Sequence, residues 1–104
     1  MGYDLFYHYP REKFWQAVHV LATSDRSIQE RLAGAALYLI RLSPEDMPEE
    51  QREEFKAVIQ ELTKEQPLGD EGSIEATAHK MTTEQGRTIA DRILSIYTTL
   101  HGGI

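Results

Sequence analysis

Nine consecutive residues without a charge, Leu32-Ala33-Gly34-Ala35-Ala36-Leu37-Tyr38-Leu39-Ile40, lie between Arg31 and Arg41. Ile28, Leu32, Ala35, Leu39 and Leu42 fall at helical spacing, and Ala33, Ala36, Leu37 and Ile40 form an adjoining stripe. A helix apolar over most of its circumference is buried on most sides. This one is far shorter than the roughly 20 apolar residues that span a bilayer. The expectation is therefore a central helix over about 25–42 with other helices packed around it. The small residues from Ala33 to Ala36 mark where a neighbouring helix should come closest.

The rest of the chain offers one apolar face per segment. Residues 1–9 read as an extended, aromatic arm ending at Pro10, a residue that fits the first position of a helix because its missing N–H is no loss there. A first helix is expected from about Pro10 to Thr23, with Phe14, Val18, Leu21 and Ala22 inward and Trp15 and Ala17 beside them. Ser24, Asp25 or the Ser27/Glu30 capping box starts the central helix. Ser43-Pro44-Glu45-Asp46 is a helix-start signal, but Pro48 follows too soon for an undisturbed helix. A short turn at 44–47 is expected, then a helix from Pro48 to about Glu65 with Phe55, Val58, Ile59 and Leu62 inward. Residues 66–72 form a loop. Ser73 is placed to cap a short helix, and Thr82 with Gln85 to box a last one from Thr83 to about His101, with Gly102 as its C-cap. Gly86 weakens that helix unless something packs closely against it. No segment alternates apolar and polar residues as a strand would. The fold class is all-α: one domain spanning 1–104, with four main helices and a short fifth.

Charge is unevenly spread. From Glu45 to Glu75 there are 11 acidic and 3 basic residues, a net of −8, and the remainder has 6 acidic and 8 basic, a net of +2. No long basic stripe is present to follow a phosphate backbone, which argues against nucleic acid. The first helix, the turn at 22–25 and the start of the second mimic a helix-turn-helix, with Arg26, Arg31 and Arg41 nearby. The second half of that helix is too apolar for a recognition helix. The chain has no cysteine, so disulfides and thiolate metal sites are excluded. Cysteine-free composition and a first stretch without a basic flank or apolar core fit a cytoplasmic protein with no signal peptide and no membrane anchor.

Catalytic signals are sparse. Glu75 and His79 are four apart on one helix face, a spacing that lets a carboxylate orient an imidazole or share a metal with it. Two ligands do not complete a zinc or iron site. None of the four histidines has Glu three residues before it, and His-Glu-x-x-His is absent. Ala78-His79-Lys80 loosely resembles the start of the histidine phosphotransfer motif, but Met81-Thr82-Thr83 stands where that family places Lys and Gly. No cofactor is expected.

Six of the nine aromatics fall in the first 15 residues: Tyr3, Phe6, Tyr7, Tyr9, Phe14 and Trp15. Tyr and Trp combine large contact area with a polar tip and are favoured at interfaces. Tyr3, Phe6, Tyr7, Tyr9 and Trp15 are thus the candidate interface, unless the arm folds back to complete the core. The functional expectation is association with a protein partner or a second copy as a homodimer. The rival is an enzyme centred on Glu75 and His79, and a weaker one is a DNA-binding regulator.

Overall fold

The computed structural model describes residues 7–67 and 72–102. Five α-helices carry the fold: α1 (His8–Thr23), α2 (Ile28–Leu39), α3 (Arg52–Thr63), α4 (Ser73–Lys80) and α5 (Thr83–Leu100). Two single 3₁₀ turns, Pro44–Asp46 and Glu49–Gln51, lead from α2 into α3. No strand occurs among the described residues. The all-α architecture is as expected, with α4 the short helix. Tyr3 and Phe6 lie outside the described residues, as do 68–71 of the expected loop.

Capping chemistry sets two of the helix starts. Ser27 accepts from the backbone N–H of Glu30 while the Glu30 carboxylate reaches back to the Ser27 N–H, and Thr82 and Gln85 repeat the arrangement at α5. Each box satisfies N–H groups that helix geometry leaves without partners. Across the first 3₁₀ turn the Ser43 N–H and hydroxyl both donate to the Asp46 carboxylate. Gly102 ends α5 with φ of +95°, a left-handed conformation that suits a residue without a Cβ.

Other boundaries differ from expectation. Helix α1 starts at His8, so His8 and Tyr9 belong to it rather than to an arm, and Pro10 is its third residue rather than its first. The first four N–H groups of a helix have no intrahelical partner, so proline is tolerated there beyond the first position. Helix α2 stops at Leu39, three residues early: Arg41 and Leu42 bond back to Tyr38 and Leu39 in tighter turns. The chain must leave the helix before Pro44, because proline pushes its predecessor to extended backbone, and Ser43 is extended with ψ of 161°. Helix α3 begins at Arg52 and ends at Thr63, within the expected Pro48–Glu65 span, its first turn being 3₁₀ instead. Ser73 is the first helical residue of α4, and Gly72 occupies the cap position.

Helix α2 touches each of the other four helices, α1 most extensively. Leu32, Ala35, Ala36 and Leu39 of α2 are fully buried. Against them pack Phe14 and Ala17 of α1, Phe55, Val58 and Leu62 of α3, and Ile89, Ile93, Ile96 and Leu100 of α5. Phe14 meets Phe55 edge to face, with ring centroids 6.2 Å apart. Met47, between the two 3₁₀ turns, is also fully buried and plugs the core from the connection. Polar side chains tie the ends together: Arg31 donates to the Leu21 and Arg26 carbonyls at 2.8 and 2.9 Å, closing the α1–α2 turn. Gln29 donates to the Met81 carbonyl at 3.1 Å, fastening α2 to the α4–α5 turn.

Candidate interaction surface

The expectation that α2 is enclosed on most sides fails on one face. Leu37 is 56% exposed and Ile40 46% exposed. The reason is angular. At 100° per residue the buried set Leu32, Ala35, Ala36 and Leu39 covers one side of the helix, and Glu30, Gly34 and Leu37 fall opposite, with Arg41 in the turn just past the helix end. Four neighbouring helices reach the first side and its flanks, and none covers the second. Along that uncovered face Ala33, Gly34, Leu37 and Ile40 line a groove of about 580 Å³, closed on one flank by Gly72, Ser73, Ile74 and Glu75 at the start of α4. Ile40 also borders a second groove, toward Ile59 and Lys56 of α3. Isolated exposed leucines are ordinary; two neighbouring ones flanked by Ala33, Gly34 and Ile74 make a continuous apolar strip.

The small-residue run divides between the two sides. Ala35 and Ala36 are in the core, whereas Ala33 and Gly34 are half-buried at the floor of the groove. A Cβ at Gly34 would sit 3.4 Å from Val20 of α1. The close approach expected of this run is therefore made to α1, and the missing Cβ of Gly34 leaves a notch in the wall of the groove.

Charged side chains stand at both ends of the strip. Glu30 accepts from the Ser27 N–H and hydroxyl and pairs with Arg26 at 3.2 Å. Those Ser27 hydrogen bonds foremost, then Arg26, hold the Glu30 carboxyl below its ordinary value, so it is a carboxylate at neutral pH. At the other end Arg41 is exposed, and its side chain has no ion-pair or hydrogen-bond partner among the described residues.

The sequence-derived candidates sit elsewhere. Trp15 is 52% exposed and stacks on His19 at 5.1 Å, facing solvent rather than lying beside the core. Tyr9 is 43% exposed, with Lys13 Nζ 5.7 Å from its ring centroid, and Tyr7 is half-buried. Close to this side a shallow groove between α1 and α5 is lined by Val18, Ala22 and Leu94, of which Leu94 is 49% exposed. Glu75 and His79 are both exposed on α4, where they border a polar groove with Ser27, Gln29 and Glu30. Among the described residues no group of three or more His, Cys, Asp or Glu side chains is placed to hold a metal ion. Arg26 and Arg31, the basic residues of the helix-turn-helix reading, are engaged by Glu30 and by backbone carbonyls. Among the described residues no helix is long and apolar enough to cross a membrane.

Sequence reasoning missed the exposed strip because Leu37 and Ile40 were read with the rest of an apolar run. Their signal was present in part: Leu37 lies within about 20° of Glu30 on the helix, a side that a charged residue marks as open to solvent. No family model, no curated protein and no solved structure matches this chain.

Proposed function

We propose that this protein works by associating with another protein chain, through the uncovered face of α2. The observation that carries this reading is the exposure of Leu37 and Ile40 on the helix that elsewhere builds the core. Burying a leucine or isoleucine fully stabilises by about 1.5–3 kcal/mol, so each half-exposed side chain leaves about 1 kcal/mol unrealised in the isolated chain. A partner that covers the strip recovers it. Charged groups at the ends and an apolar centre are the layout of a protein interface. Trp15 and Tyr9, on α1, offer a second contact area of the kind favoured at interfaces. A cytoplasmic setting suits a chain with no cysteine.

The test uses wild-type protein and the Leu37→Asp, Ile40→Asp double variant. Both side chains are exposed, so the variant should keep its helicity and its melting profile. Sedimentation velocity and affinity capture from the native lysate should show wild type in a complex that the variant does not form. Identical behaviour of the two proteins in both measurements would sink the reading.

A further inference from the structure

The strip on α2 has the spacing of a self-pairing helix. Glu30, Gly34, Leu37 and Arg41 follow one another at four, three and four residues, the seam periodicity of a two-helix coiled coil. The four positions are symmetric about the point midway between Ala35 and Ala36. Gly34 and Leu37 stand one and a half residues to either side of it, and Glu30 and Arg41 five and a half. A two-fold axis through that point, perpendicular to the helix, places Leu37 of each copy opposite Gly34 of the other. It places Glu30 of each opposite Arg41 of the other. We propose that the occupant of this face is a second copy of the chain, its α2 antiparallel, with Leu37 seated in the notch at Gly34 and a Glu30–Arg41 ion pair at each end. The proposal rests on the reading that the α2 face is an interaction surface, and names its partner.

Three observations carry it. The notch has a shape reason: Gly34 lacks a Cβ and lines the groove beside Ala33, Leu37 and Ile74, so a leucine from outside finds a shallow socket there. The ends have a charge reason: Arg41 is exposed without a side-chain partner among the described residues, and Glu30 is an exposed carboxylate whose only cation among them is Arg26, in a surface pair at 3.2 Å that a dimer contact would replace or share. An isologous contact uses one patch twice, so each acid meets a base and each knob a hole. A parallel pairing would instead set Glu30 against Glu30 and Arg41 against Arg41, which like-charge repulsion disfavours. None of the acidic run at 45–54 lines this groove, whose acidic residues are Glu30 and Glu75.

The experiment exploits the absence of cysteine in the chain. Glu30→Cys and Arg41→Cys are made separately and treated with a short bismaleimide, alone and as an equimolar mixture. In the antiparallel pair the two copies of position 30 are about 16 Å apart along the helix axes, whereas positions 30 and 41 of different copies are adjacent. Only the mixture should cross-link. By sedimentation equilibrium wild type should dimerise, Leu37→Asp should weaken the dimer by a hundredfold or more, and Arg41→Glu by about tenfold. Melting curves at low concentration establish that each variant is folded. Cross-linking of each variant alone would overturn the antiparallel arrangement. A wild-type dimer indifferent to Leu37→Asp would place the contact on another face and overturn the proposal. A strict wild-type monomer would overturn it too, and the association reading then stands only if a different partner is retained by wild type and lost by Leu37→Asp.

Discussion

The guanidinium of Arg92 on α5 grips the carboxylate of Glu54 on α3 with two hydrogen bonds, Nε at 2.8 Å and Nη2 at 3.0 Å. It is a bidentate pair between helices 38 residues apart in sequence. The Arg92 hydrogen bonds hold the Glu54 carboxyl below its ordinary value of 4.5, against a smaller opposing effect of burial. A carboxyl whose folded value lies below its unfolded one contributes stability above the unfolded value and loses it as pH falls through the folded one. The side chains are 31% and 45% exposed, so solvent screening limits the contribution to about 0.5–1 kcal/mol. Glu54→Gln should therefore lower stability by that amount at neutral pH, in urea denaturation. The gap should close as pH falls through the folded value, where wild type loses the charge as well; a gap that persists in acid would assign the loss to packing.

Arg11 reaches from the start of α1 to the end of α5, its Nε donating to the Leu100 carbonyl at 2.8 Å. The last carbonyls of a helix lack intrahelical donors and carry the negative end of its dipole, so a cation there answers both needs. Arg11→Met keeps most of the aliphatic stem and removes the donor. The expected loss is about 1 kcal/mol, with faster amide hydrogen exchange confined to the last turn of α5. Unchanged exchange at residues 98–102 would show that the hydrogen bond does not hold that turn.

Gly86 and Gly34 both lie inside helices, and the same substitution should act on them with opposite sign. A Cβ at Gly86 would stand 3.2 Å from atoms of both Ile28 and Leu32, and Leu32 is fully buried with no room to retreat. Alanine gains about 1 kcal/mol of helix propensity over glycine, but crowding a packed site costs about 1–3 kcal/mol. Gly86→Ala should destabilise by about 1 kcal/mol net. At Gly34 the nearest atom is at 3.4 Å and the other side is open, so Gly34→Ala should stabilise the monomer by about 0.5–1 kcal/mol. Because it also fills the notch, it should weaken self-association. Chemical denaturation at low concentration reads the first effect and sedimentation the second.

Much of the fold was legible because local chemistry and tertiary packing agree. Ser27/Glu30 and Thr82/Gln85 are starts that close-range hydrogen bonding fixes, and the stripe of Ile89, Ile93, Ile96 and Leu100 needs no partner to be recognised. Errors fall where a residue satisfies two rules at once. Pro10 fits the first helical position, but any place in the first turn is equally free of hydrogen-bond demands. Met47 sits in a connection, where periodicity carries no information, yet it is fully buried. Leu37 and Ile40 obey the apolar pattern of α2 and still face outward, because how many neighbours a helix has depends on the whole arrangement. The candidate site was less legible than the fold for that reason. Glu75 and His79 are a local pattern that α4 presents to solvent, and the α2 strip emerges only when uncovered surface is known.

Gln51 is the polar side chain most at odds with its surroundings. It ends the second 3₁₀ turn, is 8% exposed, and donates from Nε2 to the Ile96 carbonyl of α5 at 3.3 Å. Its Oε1 is buried and has no hydrogen-bond partner among the described residues. A long hydrogen bond of this kind contributes about 0.5–1 kcal/mol, while a buried acceptor left alone costs about 1–3 kcal/mol. Gln51→Leu removes both at similar volume and should leave stability unchanged or raise it by up to about 1 kcal/mol. Gln51→Glu tests the same site with a charge. A carboxylate there would be buried and would face the Ile96 carbonyl, so burial should raise its folded pKa above the unfolded value. The neutral acid can still donate to that carbonyl, and the ionised form cannot. Destabilisation should therefore be small at low pH and grow as pH rises past the unfolded value, reaching about 2 kcal/mol or more at neutrality. The pH dependence runs opposite to that of Glu54, and thermal melts of the two variants across the same buffers would separate a buried acid from a surface acid that has a partner.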